Sequence, residues 1–404
     1  HDTREALAHA RKQADERRFD DFLIFDIDCH HYEFDHWAPI VQLMDEPVMR
    51  HLAGAETNSR TVFPASMRNN QVGYHDLAGR ITRSRFRKLE KGERGVLQDI
   101  TVTLRYMDAM GVDYTILFPT PMLQFGMHPQ KAAEVALGRA YNRWLVENVL
   151  EAEPRIKSLL YLPFNDPEAA LATVKEFAGK PGVAGFMVTT ARFKPVHDNA
   201  YMRLYAELEE RNLPLAFHGA YNWDADRNMF DMDKFISVHA LSFPFYMMIH
   251  LTNWLMHGLP ERFPKLRVCW IEGGLAWIPF LMQRLDNEYM MRTSEAPLLK
   301  KLPSDYMREF FYSSQPMETQ NNRKALESTF DMINADTQLM YASDYPHWDM
   351  DLPSTIYDLP FVSEENKRSI LGRNACRFLG LDPDELWKTR LAARGEQTPA
   401  IKGA

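Results

Sequence analysis

Four short apolar runs in this chain end in side chains that can bind a metal or move a proton. Phe22 to Asp28 leads into Asp26-Ile27-Asp28-Cys29-His30, and Leu215 to His218 ends in Ala216-Phe217-His218. Arg267 to Glu272 ends in Trp270-Ile271-Glu272-Gly273-Gly274, and Leu339 to Ser343 leads into Ala342-Ser343-Asp344-Tyr345-Pro346-His347. Successive side chains of a strand alternate faces, so Asp28 and His30 point the same way. Carboxylate oxygens and neutral imidazole nitrogens suit zinc, manganese or iron, and Asp28, His30, His218 and Asp344 are therefore expected to hold a divalent transition metal. Any one of them alone reads as a hydrogen-bonded rim residue; their shared placement at strand ends carries the expectation. His347 follows Asp344 and is expected to reach substrate or to support the metal ligands.

Those four runs belong to a longer series. Tyr114 to Pro119, Ile156 to Pro163, Val183 to Thr189 and Phe310 to Ser314 are also strand-length apolar runs, and nearly every run is followed by a segment with helical spacing of apolar residues. The helices are expected near Val96 to Met110, Gln130 to Val149, Pro167 to Ala178, Asn199 to Arg211, Tyr246 to Met256, Ile278 to Met290 and Asn322 to Phe330, with others finishing near Leu379. Alternating strands and helices imply a parallel sheet with covering helices, and eight units are the number at which it closes. The fold class is α/β, a distorted (β/α)8 TIM barrel, with an open doubly wound sheet as the alternative. In such a barrel the chemistry sits at the C-terminal ends of the strands, where the residues above fall.

These residues resemble the amidohydrolase superfamily, in the branch related to aminocarboxymuconate semialdehyde decarboxylase and aromatic-acid decarboxylases. The carriers span Phe22 to Leu381: the D-x-H with Glu33 after it, His218, the run Glu261-Arg262-Phe263-Pro264-Lys265-Leu266 before Glu272-Gly273-Gly274, Trp277-Ile278-Pro279 with Arg284-Leu285-Asp286, and Ser343-Asp344-Tyr345-Pro346-His347. Arg373-Asn374-Ala375-Cys376-Arg377 resembles the helix that closes these barrels. Two positions depart from the decarboxylase pattern. Asp28 stands where the first His of H-x-H is usual, and Glu272 stands where a His is usual. Glu272 is open to service as a metal ligand, a bridging carboxylate or a general base. His239 resembles a pocket histidine of relatives and is the other candidate for moving a proton. Glu33, common at this place in the branch, either orients its loop or joins Glu272 and His239 around a second metal.

The resemblance implies an enzyme in which one or two ions (zinc, manganese or iron) activate water or a carbonyl, for hydrolysis or decarboxylation of a small carboxylated, aromatic substrate. Two other readings stay open: a dinuclear Mn/Fe or di-iron oxygenase on the same fold, and a scaffold subunit paired with a paralogue. Arg60, Arg68 and Arg80 are candidates for clamping the substrate carboxylate. All three lie in residues 31–95, an insertion rich in aromatics, Met, Arg and His that reads as a cap emerging on the catalytic face. Residues 1–21 read as a helical extension, 22–381 as the catalytic domain including that cap, and 382–404 as a C-terminal tail.

Composition narrows the partners. With 47 Lys and Arg against 55 Asp and Glu in 404 residues, the net charge is -8, and no basic block provides a face for nucleic acid. No apolar window is long enough for a membrane span, and the charged first 21 residues lack the apolar stretch of a secretory signal. Cys29, Cys269 and Cys376 are scattered with no C-x-x-C pair, which points to a reducing compartment and a cytoplasmic protein. Abundant Trp, Met and Tyr lead to the expectation of a homo-oligomer, or of a hetero-oligomer with a paralogue.

Overall fold

Eight parallel strands pair in sequence order, β1 to β8, as eight consecutive β then α units require. They are β1 (Phe25–His31), β2 (Tyr114–Pro119), β3 (Ile156–Tyr161), β4 (Val183–Thr189), β5 (Leu215–His218), β6 (Val268–Ile271), β7 (Phe311–Ser313) and β8 (Leu339–Met340). The computed structural model describes residues 3–55, 96–128, 130–190, 194–220, 229, 232, 234–319 and 322–395. The barrel closes through backbone hydrogen bonds between β1 and the chain around β8: Ile27 N–H to the Tyr341 carbonyl (2.9 Å), His30 N–H to Tyr345 (2.7 Å) and Asp344 N–H to Asp28 (2.8 Å). The distorted (β/α)8 barrel is thus the observed architecture. Its strands are buried along nearly their whole length, which is why they read as apolar runs and not as alternating patterns.

One distortion bears on the site. The register of β1 against β2 shifts between Asp26 and Cys29. The Asp28 amide is donated to Asp26 Oδ1 (3.1 Å), while its carbonyl accepts the amide of Asp344.

The covering helices follow from local signals. Asp166 caps the helix Pro167–Phe177, accepting from the Ala169 amide at 3.1 Å with Pro167 in the first turn. Gly111, at φ 76°, ends the helix Gln98–Met110 in the left-handed conformation; a Cβ there would lie 2.8 Å from Phe19 Cβ. The helix Phe235–Met256 begins well before the expected Tyr246, and Pro244 lies inside it. Its Val238, Phe243, Met247, Leu251, Trp254 and Leu255 are all buried, so tertiary burial offsets the backbone bond that proline removes.

Of the insertion, residues up to 55 are described. The helix Trp37–Gln42 buries Trp37, Ile40 and Val41, and Asp45 after it pairs with Arg139 and Arg143 on the helix Lys131–Leu145. Arg60, Arg68 and Arg80, and with them the body of the expected cap, fall outside the described residues.

The C-terminal segment carries one more helix. Asp382 accepts from the Asp384 and Glu385 amides and starts a helix, Pro383–Arg394, which Gly395 ends. Its Leu391 is buried, and Arg390 Nε and Arg394 Nη2 reach Asp113 Oδ1 at 3.0 and 2.8 Å. Leu386 and Trp387 of that helix pack against the core. Among the described residues no helix is long and apolar enough to cross a membrane.

Candidate metal centre and active site

Asp28 and His30 leave β1 on the barrel's inner side and meet His218 from β5. Asp28 Oδ1 lies 3.1 Å from His30 Nε2 and 3.2 Å from His218 Nε2, and all three side chains are fully buried. Each imidazole has its other nitrogen on a backbone carbonyl, His30 Nδ1 on Pro119 (3.0 Å) and His218 Nδ1 on Gly219 (2.7 Å). A carbonyl only accepts, so Nδ1 carries the proton in both rings and Nε2 keeps its lone pair facing Asp28. Asp28 Oδ2 and His30 Nε2 have no hydrogen-bond partner among the described residues. Burial alone pushes the Asp28 carboxyl up, but His218 and His30 outweigh it and hold it below the usual carboxylate range. Burial pulls His30 down, while His218, facing both Asp28 and Glu272, is raised against the same penalty. A buried carboxylate with an unpartnered oxygen, and an unpartnered Nε2 beside it, fit a divalent cation.

Asp344 closes the cluster from the β8 side. Its Oδ1 lies 3.3 Å from His30 Nε2 and 2.5 Å from His347 Nδ1, and Oδ2 accepts from Gln315 Nε2 at 3.2 Å. His347 stacks on His30 with ring centroids 4.3 Å apart, and its Nε2 faces the Thr120 hydroxyl at 3.3 Å.

Two acidic residues here hold a backbone conformation that L-residues seldom adopt: Glu272 at φ 63° and Asp344 at φ 55°. Such strain persists only where neighbours over-determine it. The Glu272 amide is donated to Ser313 Oγ on β7 at 2.9 Å, and the Asp344 amide to the Asp28 carbonyl. These turns aim both carboxylates inward: Glu272 Oε2 lies 3.5 Å from His218 Nδ1, and Glu272 is 2% exposed.

The helix Phe235–Met256 forms the roof. His239, Phe243, Met247 and His250 share one face by their spacing. His239 meets Trp348 and Asp349 of the β8 loop, Phe243 approaches Gly219 after β5, Met247 approaches Gly273 after β6, and His250 Nε2 donates to the Thr190 carbonyl after β4 at 2.7 Å. A Cβ on Gly219 would lie 2.6 Å from Phe243, so glycine is what lets the roof come down on the strand ends.

Comparison with known proteins places the chain in a family. The chain matches the family described as Amidohydrolase over residues 27–381, which is most of its length. It belongs to the amidohydrolase family. Among curated relatives, 2-amino-3-carboxymuconate-6-semialdehyde decarboxylase of Dictyostelium discoideum is 22% identical over 71% of this chain and 78% of its own. Gamma-resorcylate decarboxylase of a Rhizobium species is 25% identical over 71% of this chain and 89% of its own. Two solved structures share the fold. The 5-carboxyvanillate decarboxylase of Sphingomonas paucimobilis superposes with TM-score 0.62 at 20% identity, covering 90% of this chain and 100% of that one. A dihydroxybenzoic acid decarboxylase of a Polaromonas species, with bound manganese and the inhibitor 2-nitroresorcinol, gives TM-score 0.61 at 17% identity, covering 90% and 99%.

Within this amidohydrolase, the remaining candidates have distinct places. Glu33 is fully buried, and its two oxygens accept from the Thr120 amide (3.1 Å) and the Met122 amide (2.6 Å), so it fastens the loop after β2. His239 sits at the roof's start, Nε2 3.6 Å from Asp349 Oδ2. His31, on the opposite face of β1, donates Nδ1–H to Asp99 (2.9 Å) and accepts at Nε2 from the Tyr141 hydroxyl (2.8 Å), and Asp99 also pairs with His36. His257 stacks on His197, away from the centre.

Several contributors were not singled out from the sequence. Asp26 accepts from the Ser343 hydroxyl and amide, the Asp28 amide and the Tyr106 hydroxyl; burial pushes its carboxyl up to about 7 against those bonds. Ser313 and Gln315 extend from β7 to Glu272 and Asp344. The signal for Asp26 was present in Asp26-Ile27-Asp28, whose spacing puts two carboxylates on one face. Ser313 and Gln315 carry no charge pattern that would mark them.

Proposed function

We propose that this amidohydrolase is a metal-dependent carboxy-lyase that removes CO₂ from a small aromatic carboxylate. The observation that carries the reading is the convergence of the buried Asp28, His30 and His218, with Asp28 Oδ2 and His30 Nε2 lacking a hydrogen-bond partner among the described residues and Asp344 adjoining. The decarboxylase activities named for its relatives favour carbon–carbon cleavage over hydrolysis. In this reading Asp28, His30, His218 and Asp344 bind one divalent ion, manganese being the first candidate from the Polaromonas enzyme. A single ion is favoured because Glu33 already gives both oxygens to backbone amides and the two candidate ligand groups share His30.

When bound, the ion supplies a Lewis acid for the substrate's oxygens. The chain's own residues do the rest. The carbonyls of Pro119 and Gly219 fix both histidine tautomers. The roof excludes water, which strengthens the electrostatics inside. Glu272, turned inward by its positive φ, holds the proton at Oε2 and delivers it to the ring carbon that bears the carboxylate. The bond to the carboxylate carbon then breaks, its electron pair returns to the ring, and CO₂ leaves.

Metal analysis of the purified protein, followed by CO₂ release from 2,6-dihydroxybenzoate and 5-carboxyvanillate under manganese, tests the reading. One ion per chain with CO₂ evolution from an aromatic acid is the expected result. A protein that takes up no divalent metal, or that loads fully and releases no CO₂ from a broad set of aromatic carboxylates, would overturn it.

A further inference from the structure

β7 brings no charged group to the centre, yet Gln315, two residues past its end, is fully buried against Asp344. Its Nε2 lies 3.2 Å from Asp344 Oδ2 and 3.3 Å from the Asp349 carbonyl oxygen. Both neighbours are acceptors, so the amide must present its NH₂ to them, and Oε1 faces the other way. That oxygen is buried and has no hydrogen-bond partner among the described residues. An amide oxygen in this state is costly unless something in the working protein donates to it.

The geometry also says which kind of group that is. His30 and His347 approach Asp344 through Oδ1, whereas Gln315 approaches through Oδ2. The amide therefore meets the carboxylate oxygen that neither histidine contacts, which leaves Oε1 free to meet a ligand. An acceptor in that place selects for a donor, and the donors that an aromatic carboxylate offers are ring hydroxyls. We infer that Gln315 is a positioning and specificity-determining residue: Nε2 locks the rotamer of Asp344 so that Oδ1 faces His30, and Oε1 accepts a hydrogen bond from a hydroxyl of the substrate. This rests on the proposed function for the ligand class, and on the geometry alone for the residue.

Gln315→Met keeps the side chain's length and removes both donor and acceptor. Manganese affinity would be measured by calorimetric titration, and the manganese-loaded protein would then be titrated with 2-hydroxybenzoate and with benzoate. In the wild-type protein the hydroxylated acid binds more tightly. In the variant that preference falls about tenfold, the size of one lost hydrogen bond in a dry site, and manganese affinity falls by a similar factor. A general loosening of the fold would weaken both acids together and leave their ratio alone, so the ratio isolates the role of Oε1. Should Gln315→Met fail to fold, Gln315→Asn, one methylene too short to span the contacts, gives the same readout. An unchanged ratio in a folded variant overturns the inference, whatever happens to the metal. If the wild-type protein itself takes up no manganese, the proposed function falls and this inference falls with it; wild-type uptake with an unchanged ratio in the variant removes this inference alone.

Discussion

The Ser343 hydroxyl donates to Asp26 Oδ2 across 2.5 Å, while the Ser343 amide donates to Oδ1 of the same carboxylate at 2.9 Å. Through this pair the residue before Asp344 is tied to the strand that carries Asp28 and His30, so one buried carboxylate sets the relative position of the candidate ligands from β1 and β8. Asp26→Ala would leave four donors without their acceptor. The expected cost is about 3 kcal/mol of stability, with metal content per chain falling as well. Urea unfolding and metal analysis of the same preparation check this. A variant that unfolds at the wild-type midpoint with full metal would show that the tie is dispensable.

Asp344→Asn changes one atom and reverses one polarity. Whichever way the new amide turns, its NH₂ faces donors, either Gln315 Nε2 on one side or the ring proton of His347 on the other. Metal affinity is expected to drop by more than the roughly 10–100-fold typical of losing a supporting contact around a site. Equilibrium dialysis against manganese measures it, and wild-type affinity would remove Asp344 from the ligand set.

The four ligand candidates could be found in the sequence because each closes an apolar run at a strand end, and barrel topology brings strand ends together. Tyr114–Pro119, Val183–Thr189 and Leu215–His218 are strands with the bounds that their composition implies. What pattern could not reach were neutral and long-range contacts. Ser343 and Asp26 are 317 residues apart, and only closure of the barrel makes them neighbours. The helix Phe235–Met256 extends eleven residues before the expected Tyr246, because burial on several sides tolerates Pro244, and so the sequence understated the roof. The C-terminal helix was visible in principle: Asp382-Pro383 is a start signal and Gly395 a stop.

A pH effect on stability is expected from Glu134, outside the centre. It is buried, and its oxygens accept from the Tyr161 hydroxyl (2.8 Å) and Asn165 Nδ2 (3.0 Å); burial outweighs both and raises its pKa from 4.5 to about 7. A raised folded pKa means that the folded chain keeps a proton that the unfolded chain has released. Stability from this group is therefore present below about 4.5, is lost as pH rises through 7, and is flat above. Glu134→Gln removes the loss, so its advantage over wild type should grow between pH 5 and pH 8 to roughly 3 kcal/mol. Denaturant melts at both values decide, and a constant difference across that range would contradict the assignment.

The docked C-terminal helix should contribute measurably to stability. Asp113 is fully buried and holds the Ile24 amide (3.0 Å) together with both arginines. Replacing Arg390 and Arg394 by alanine leaves that carboxylate buried with the amide alone, at a cost of about 3 kcal/mol, since removing one side of a buried pair strands the other charge. Chemical denaturation of the double variant tests it, and a loss below about 0.5 kcal/mol, the range of ordinary surface changes, would mean the helix is only loosely held.

Glu272 separates the possible chemistries. If its carboxylate moves the proton and takes no part in holding the ion, Glu272→Gln keeps the shape and the Ser313 bond to its amide, so metal uptake should stay near one ion per chain. CO₂ release should then fall by roughly 10²–10⁴-fold, the usual worth of a positioned acid or base, with substrate affinity little changed. If Glu272 were instead a ligand to a second ion, the same substitution would lower the metal count, and a redox-active pair would make turnover depend on oxygen. Metal analysis of wild type and variant, paired with an anaerobic assay of the wild type, distinguishes the two. With one ion per chain in both, undiminished anaerobic turnover in the wild type and a slow variant, the proton role stands. A metal count that falls in the variant, or wild-type turnover that stops without oxygen, would transfer Glu272 from proton carrier to ligand and replace decarboxylation with oxygen chemistry.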